Sequence, residues 1–322
     1  MVPRRVVIAR WTGRGSVERL RDSTEFLLRH LGTPPRAWIA GYSVVVEGRV
    51  PLSAAARIGH LPGVSWVAVG FTFASMKEAG RQAGLLAKRY VRRGERFSVE
   101  GEGIGGAVSA DVSGAVTSGV LDVVKGSMVS ESAKVRFRAA FDGKRGVVGV
   151  EVAKGAGGVS TGDLWASCLV SGGRHSAALA WCAQLMGYRV RLVHVKTTER
   201  SLLAVARLYA ELSHRAGPQA LELEVKERGT IKQLAEHLAR SGGEVFGGFA
   251  GKGKEAPREF SGMVSAPLYL MPEEQFASLF ESLGLVADDG DAKWGSARSV
   301  QLELKRFEGW ADDVSAVLDG LR

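Results

Sequence analysis

The pattern of hydrophobic and polar positions changes along this chain near residue 155. In the first part, short alternating runs predict strands and helical spacing predicts helices. The first predicted strands cover 5–11, 38–47 and 65–73, and the helices between them cover 17–31 and 52–61. The order strand, helix, strand, helix, strand predicts a small ferredoxin-like α+β layer over residues 1–73.

The next segment predicts a helix with a basic outer side. Residues 77–96 contain seven Lys and Arg residues but only two Glu, and the apolar positions among them follow a helical period. Gly94 marks the expected end of this helix. An ordinary solvated surface helix is the alternative to a helix that binds a ligand, because charged residues usually face water.

A β-hairpin with alternating character closes the first part. In the predicted strand 134–141, Lys134, Arg136 and Arg138 lie on one face and apolar residues on the other, which predicts an exposed basic face. The turn is expected at 142–146 and the returning strand at 147–153. A strand at 96–100, a flexible segment at 101–106 and a helix at 109–124 are expected before this hairpin.

Residues 154–161 are Gly-rich and without apolar periodicity, which predicts a domain junction. Beyond them, strands and helices alternate, which predicts a parallel sheet covered on both faces. The predicted strands are 164–170, 189–195, 221–225, 244–249 and 300–305, and the predicted helices are 175–186, 200–216, 230–241, 272–283 and 310–321. The expected fold class is therefore a multidomain protein with α/β and α+β parts.

Composition narrows the classes of function. The 322 residues carry 43 Lys and Arg against 34 Asp and Glu, a formal charge of +9, which favours a polyanionic partner. No apolar stretch approaches the roughly 20 residues of a membrane span, and no signal peptide is evident, so we expect a cytoplasmic protein without a membrane partner. Cys168 and Cys182 sit in apolar patterns and are expected to be buried free thiols, with no metal site.

The six residues Ser171 to Ser176, with the sequence SGGRHS, are the strongest candidate for chemistry. They lie between a predicted strand and a predicted helix, where backbone N–H groups and a helix N-terminus suit a phosphate. Gly172 and Gly173 let the backbone come close to a ligand. The alternative is a tight strand-to-helix turn that binds nothing.

This hexapeptide resembles the PP-loop, Ser-Gly-Gly-x-Asp-Ser, of enzymes that split ATP between the α and β phosphates. His175 stands where that pattern has Asp. The carboxylate belongs to the metal–pyrophosphate machinery, and a neutral imidazole is a poor ligand for Mg²⁺, which prefers oxygen. The loop is therefore expected to keep its fold, and an anion site, without the chemistry.

The order of segments resembles the tRNA 4-thiouridine synthases. Gly157 to Gly162 is similar to the Gly-rich entry into their PP-loop domain, and Val193-His194-Val195 is similar to their Val-His-Phe. The resemblance implies a ferredoxin-like domain over 1–73, a THUMP RNA-binding domain over 74–155 and a PP-loop-like domain over 156–322. It also implies nucleotide contacts, with ATP and Mg²⁺ as cofactors if the loop is functional. The implied nucleotide-binding residues are Ser171, Gly172, Gly173, His175, Ser176 and His194.

The resemblance implies different things for catalysis and for RNA binding. The family passes sulfur through a cysteine persulfide in a later region, and this chain has no cysteine after Cys182, so no catalytic residue is assigned. The family implies a tRNA partner, held at the acceptor end largely by shape and backbone contacts, and a sulfur donor protein. The expected RNA-binding residues, on one continuous surface, are Lys77, Arg81, Lys88, Arg89, Arg92, Arg93, Lys134, Arg136, Arg138, Lys144 and Arg145.

Three functions remain open on the sequence. The first is a tRNA-binding THUMP protein with an impaired ATP-pyrophosphatase site. The second is an active ATP-dependent tRNA sulfurtransferase that makes 4-thiouridine with a modified loop. The third is a nucleotide-binding regulator without an RNA partner.

Overall fold

The structure is a computed structural model, and it describes residues 3–33, 36–195, 198–216, 221–226, 231–240, 244–247 and 272–283. The chain divides into two compact units, Met1–Gly162 and Asp163–Arg322. The expected strand 300–305 and helix 310–321 lie outside the described residues. Among the helices that are described, none combines the length and the apolar character needed to cross a bilayer.

The first unit contains an eight-stranded sheet in the order β2-β3-β1-β4-β8-β7-β5-β6. All its pairings are antiparallel except those of β5 with β6 and β7. Its elements along the chain are β1 (Arg5–Trp11), α1 (Val17–His30), β2 (Ala37–Ala40), β3 (Ser43–Glu47), α2 (Leu52–Gly59), β4 (Val64–Phe73), α3 (Met76–Tyr90), β5 (Arg96–Gly103), α4 (Ser109–Val123), β6 (Met128–Val129), β7 (Val135–Phe141) and β8 (Gly146–Gly157).

Three sequence expectations differ from this arrangement. The single strand expected at 38–47 is an antiparallel pair, because Gly41 adopts a positive φ of 54° and turns the chain between Ala40 and Ser43. The segment 101–106, expected to be flexible, is strand as far as Gly103, where β5 pairs with Phe141 of β7. The junction expected at 154–161 overlaps β8, whose residues to Gly157 pair with β4.

The pairing of β4 with β8 joins the two halves of this unit into one sheet. β4 belongs to the expected ferredoxin-like layer, and β8 belongs to the expected THUMP domain. A boundary between residues 73 and 74 therefore falls within one continuous sheet, and the domain limits drawn from the sequence stay a prediction.

All four helices of the first unit cover one face of the sheet. Val7 of β1 packs with α1 and α2, and Phe137 of β7 packs with α3 and α4. On β4, Val67 joins the first of these cores and Phe73 joins the second, and residues an even number apart on a strand point to the same face. The opposite face carries a smaller apolar cluster that includes Ile8.

Helices α3 and α4 cross at unusually close range because glycines face each other. A Cβ on Gly80 would lie 2.9 Å from the Ala115 carbonyl oxygen, one on Gly84 would lie 2.8 Å from the Gly119 oxygen, and one on Gly119 would overlap the Gly80 carbonyl. Gly119 weakens the helical propensity of its segment, but its small size is what permits the contact.

The second unit contains a four-stranded parallel sheet in the order β11-β10-β9-β12. Its elements are β9 (Trp165–Leu169), α5 (Arg174–Leu185), β10 (Arg189–Val195), α6 (Glu199–Ala216), β11 (Leu221–Lys226), α7 (Ile231–Arg240), β12 (Glu244–Gly247) and α8 (Glu273–Leu283). The strands and helices expected between residues 164 and 283 all form, within a few residues of their expected limits. The predicted class, α/β and α+β parts in one multidomain chain, is confirmed.

Candidate functional site

The loop between β9 and α5 needs glycine at its second position. Gly172 has a φ of +88°, which side-chain-bearing residues rarely adopt, and a Cβ there would lie 2.5 Å from Cβ of Ala204 on α6. Gly173 is different, since its φ is −78° and, among the described residues, a Cβ at that position would have only the Ser171 hydroxyl within 4 Å, at 3.9 Å. Against the described part of the chain, the loop is thus packed at Gly172 and open at Gly173.

The two serines of the loop bond to each other. The Ser171 N–H donates to Ser176 Oγ at 3.0 Å, and the two hydroxyl oxygens lie 3.2 Å apart. Ser176 is buried, whereas Ser171 is exposed at the mouth of the loop. The helix α5 begins directly after Gly173, so the positive end of its dipole lies beside the open side of the loop. This geometry suits a phosphate-sized anion.

His175 is held by an aromatic contact. Its imidazole stacks on the ring of Phe276 from α8, with centroids 3.9 Å apart and planes within 5° of parallel. Phe276 is fully buried. The side chain that replaces the PP-loop carboxylate is therefore packed against the core of this unit.

His194 is buried beneath the loop and joins three elements. Its Nδ1 lies 2.9 Å from the Val170 carbonyl oxygen, which can only accept, so Nδ1 carries the proton. Its Nε2 lies 3.2 Å from Oγ of Ser201 on α6. Burial lowers the pKa of His194, and the hydrogen bond to Val170 opposes that shift in part. Both ring nitrogens have protein partners, so the geometry gives His194 a structural role. Its expected contact with a nucleotide stays a prediction.

The loop carries no carboxylate that could hold Mg²⁺. Its side chains are two hydroxyls, a guanidinium and an imidazole, while protein sites for Mg²⁺ usually include one or two carboxylates. Over the described part of the chain, no cluster of three or more His, Cys, Asp or Glu residues is placed to hold a metal. The donor set therefore fits a phosphate group but does not fit Mg²⁺.

The two cysteines are free thiols, as expected, but they differ in burial. Cys168 on β9 is fully buried, and Cys182 on α5 is half-buried. Burial raises the pKa of both thiols above the usual range, and most strongly for Cys168. A raised pKa lowers the fraction of thiolate, which is the nucleophilic form.

The basic residues of α3 lie on its outer side, away from the sheet. Every cation expected to bind RNA on this helix and in the turn after it is exposed. Lys77, Arg81 and Lys88 also line one wall of a groove of about 910 Å³ that runs between α3 and α4. Among the described residues that line the groove, the acidic ones are Glu78 on the same wall and Asp122 on the opposite wall. The exposed set is Lys77, Arg81, Lys88, Arg89, Arg92 and Arg93.

The hairpin residues lie differently, and the expected single continuous surface is wrong. On β7, Phe137 packs against α3 and α4, so its neighbours Arg136 and Arg138 point to the opposite face of the sheet. Arg138 pairs with Glu151 at 2.8 Å and with Glu100.

The hairpin cations fall into two groups, those paired with Glu residues and those that are exposed. Arg136 approaches Glu151 at 3.8 Å, and Arg145 pairs with Glu47 and stacks on Trp38 with its guanidinium carbon 4.0 Å from the ring centre. Only Lys134 and Lys144 of the expected hairpin residues are fully exposed.

The opposite face of the sheet therefore carries a network of Arg, Glu and Trp residues that the sequence analysis missed. Trp66 lies on this face with the Arg138 guanidinium carbon 4.9 Å from its ring centre. Arg10 pairs with Glu102 on the same face. The signal was the spacing of acidic residues two apart on β5, at Glu100 and Glu102, which matches the spacing of arginines on β7.

Comparison with solved structures relates both units to known folds. The chain is similar to PH1313 from Pyrococcus horikoshii Ot3, with a TM-score of 0.72 and 20% identity over 87% of this chain and 100% of that one. It is also similar to a 4-thiouridine synthetase solved as an RNA complex with bound ATP, with a TM-score of 0.68 and 16% identity over 98% of this chain and 97% of that one. No family model and no curated protein sequence matches the chain. The resemblance to the 4-thiouridine synthases is thus confirmed at the level of the fold.

Proposed function

We propose that this chain is a tRNA-binding THUMP protein related to the 4-thiouridine synthases, in which the loop that would cleave ATP has lost that chemistry. The observation that carries the RNA part is the groove between α3 and α4, which collects Lys77, Arg81 and Lys88 along one wall. Cations in a row suit the evenly spaced phosphates of an RNA backbone. The structural neighbour that was solved with RNA supports the same partner.

The acceptor end of tRNA is the part of the RNA that we expect this surface to hold. A helical stem is recognised through its backbone and its shape, because its deep major groove excludes side chains. The exposed residues Arg92 and Arg93 follow directly after α3 and extend the cationic surface beyond the groove. A tRNA partner suits the formal charge of +9 and implies a cytoplasmic location.

The impaired loop is the second part of the proposal, and three features support it. His175 replaces the carboxylate of the PP-loop pattern and is stacked on Phe276. The donor set around it does not suit Mg²⁺. Burial raises the pKa of Cys168 and Cys182, which makes either thiol a poor carrier of persulfide sulfur. A loop of this kind still offers a phosphate site, so ATP or a simpler anion binds without being cleaved.

The alternative function is an active tRNA sulfurtransferase with ATP and Mg²⁺ as cofactors and a separate sulfur donor protein. The open side of Gly173, beside the N-terminus of α5, is the feature that favours it. ATP–pyrophosphate exchange in the presence of tRNA separates the two functions. We expect no exchange above background, and exchange that depends on tRNA would establish the alternative.

RNA binding is tested by a charge reversal with a matched control. The double variant Lys77→Glu/Arg81→Glu changes the groove wall, and Arg21→Glu/Arg29→Glu makes the same change of charge on α1. We expect the groove variant to weaken tRNA binding at least ~10-fold and to lower the salt dependence by roughly 0.7–0.9 per lost phosphate contact. Equal losses in the two variants would mean that only net charge matters, which would refute this surface.

A further inference from the structure

A second groove in the first unit lies where the two pairs of helices leave the sheet uncovered. Its floor is made by β1 and β4, and its walls are the segment that leads into α2 on one side and α3 on the other. Val69 on the floor packs with the core under α1 and α2, while Phe71 packs with the core under α3 and α4. The groove has a volume of about 630 Å³.

The surface of this groove is apolar and largely aliphatic. Val7, Val50 and Leu86 contribute to it, and the Leu85 side chain, half of it exposed at 50%, stands at its margin. A large apolar side chain left in water in this way is a feature of surfaces that bind partners.

The rim of the groove is cationic. Arg5, Arg49 and Arg89 all line it and all are exposed, and no carboxylate is among the described residues that line it. Three guanidiniums around an apolar floor match a ligand that combines apolar groups with carboxylates, because Arg binds carboxylates with paired hydrogen bonds.

We propose that this groove binds an acidic amphipathic helix of a partner protein. Both floor strands are already paired on each side, β1 with β3 and β4, and β4 with β1 and β8, so no strand edge is open for an added strand. The partner must therefore insert side chains, as a helix does when it places an apolar stripe in a groove. Its apolar residues would fill the floor and its flanking carboxylates would meet the arginines.

The chemistry of the groove favours this partner over RNA or a second copy of the chain. Most of the floor is aliphatic and gives a nucleobase little to stack on. The aromatic ring of Tyr90 already has a cationic partner, since the guanidinium carbon of Arg89 lies 5.7 Å from its centre. A second copy carries the same formal charge of +9, which opposes its approach to a cationic rim.

The test uses a fluorescein-labelled helical peptide with Leu at positions i, i+4, i+7 and i+11 and Glu at most others, titrated with the full-length chain by fluorescence anisotropy. The control peptide has Lys in place of every Glu. We expect saturable binding of the acidic peptide only. Arg49→Glu and Leu85→Asp should each weaken that binding at least ~10-fold, as expected for central contacts.

Two control variants are matched to Arg49→Glu and Leu85→Asp. Arg21→Glu on α1 and Leu121→Asp on the exposed side of α4 make the same chemical changes elsewhere, and we expect each to bind the peptide like the original chain. Leu85 is exposed, so we expect Leu85→Asp to fold, which circular dichroism and thermal unfolding would check. Absence of saturable binding, equal weakening by the control variants or equal binding of the Lys peptide would each overturn the proposal.

Two further outcomes point to other occupants and also overturn it. If Arg49→Glu, which changes a residue that lines this groove and not the groove between α3 and α4, lowers affinity for tRNA but not for the peptide, the groove belongs to RNA. If Leu85→Asp abolishes a dimer seen in sedimentation of the original chain, the groove belongs to a second copy. Because the tRNA experiment changes Lys77 and Arg81, which do not line this groove, the two proposals fail independently.

Discussion

Arg10 and Glu102 form an ion pair across the face of the eight-stranded sheet opposite α1 to α4, although they lie on strands that are four steps apart. In a flat sheet, β1 and β5 would be about 19 Å apart, at roughly 4.8 Å for each step. That distance exceeds the combined reach of the two side chains, so the sheet must curl around this face. A second contact agrees, since a Cβ on Gly41 would lie 2.8 Å from Cδ1 of Ile104.

A double-mutant cycle measures how much this ion pair holds β1 and β5 together across the sheet. The side chains are 24% and 22% exposed, so water only partly screens their attraction. We expect Arg10→Gln and Glu102→Gln to show a coupling of about 1 kcal/mol in urea unfolding. The exposed pair of Arg29 with Glu25 on α1 is the control, expected near ~0.3 kcal/mol. A coupling no larger than the control would show that the curl does not depend on the pair.

The two glycines of the loop between β9 and α5 should respond oppositely to substitution. Gly172→Ala places a methyl group against Ala204 in a backbone conformation that alanine disfavours, and we expect a loss of roughly 2 kcal/mol or more in the free energy of unfolding. Gly173→Ser keeps an ordinary φ, meets open space among the described residues and adds a good helix-capping side chain, so the expected change is within about 0.5 kcal/mol. Thermal unfolding of both variants tests this. Equal losses of unfolding free energy in the two variants would contradict it.

The thiols should be slow to react while the protein is folded. We expect Cys168, measured in the Cys182→Ser variant, to react with a disulfide reagent at about pH 8 roughly 100-fold more slowly than after unfolding, because it is fully buried and its pKa is raised. Cys182, measured in Cys168→Ser, is half-buried and should react faster than Cys168. Rapid labelling of Cys168 in the folded chain would reopen a role for it in sulfur transfer.

His194 should make stability depend on pH in a defined direction. Burial lowers its pKa in the folded state, so the unfolded chain binds the proton more readily below about pH 6.5. The free energy of unfolding therefore falls as the pH drops below that value and is insensitive to this group above it. Denaturant unfolding at several pH values should show a shallower fall in His194→Gln than in the original chain. Identical slopes in the two proteins would contradict this.

Local patterns were enough to predict most of the elements. The strand expected at 5–11 and the strand expected at 189–195 form with those limits, because alternating and continuous apolar runs depend only on near neighbours. The hairpin at Gly41 was missed because its short strands give one unbroken apolar pattern. The glycine loop was recognised from its sequence, but the stacking of His175 on Phe276 joins residues about 100 positions apart and leaves no local signal.

The sequence by itself determined the basic character of α3, the alternation on β7 and the position of the loop before α5. Only the tertiary structure decided which faces these residues share. Arg138 looked like part of an exposed cationic face, yet the register of β7 beside β5 places it opposite Glu100, and its side chain is largely buried while that of Glu100 stays exposed. Periodicity states which residues lie on the same side of one strand, but the charge of a surface depends on which strands meet there, and that follows from contacts between distant parts of the chain.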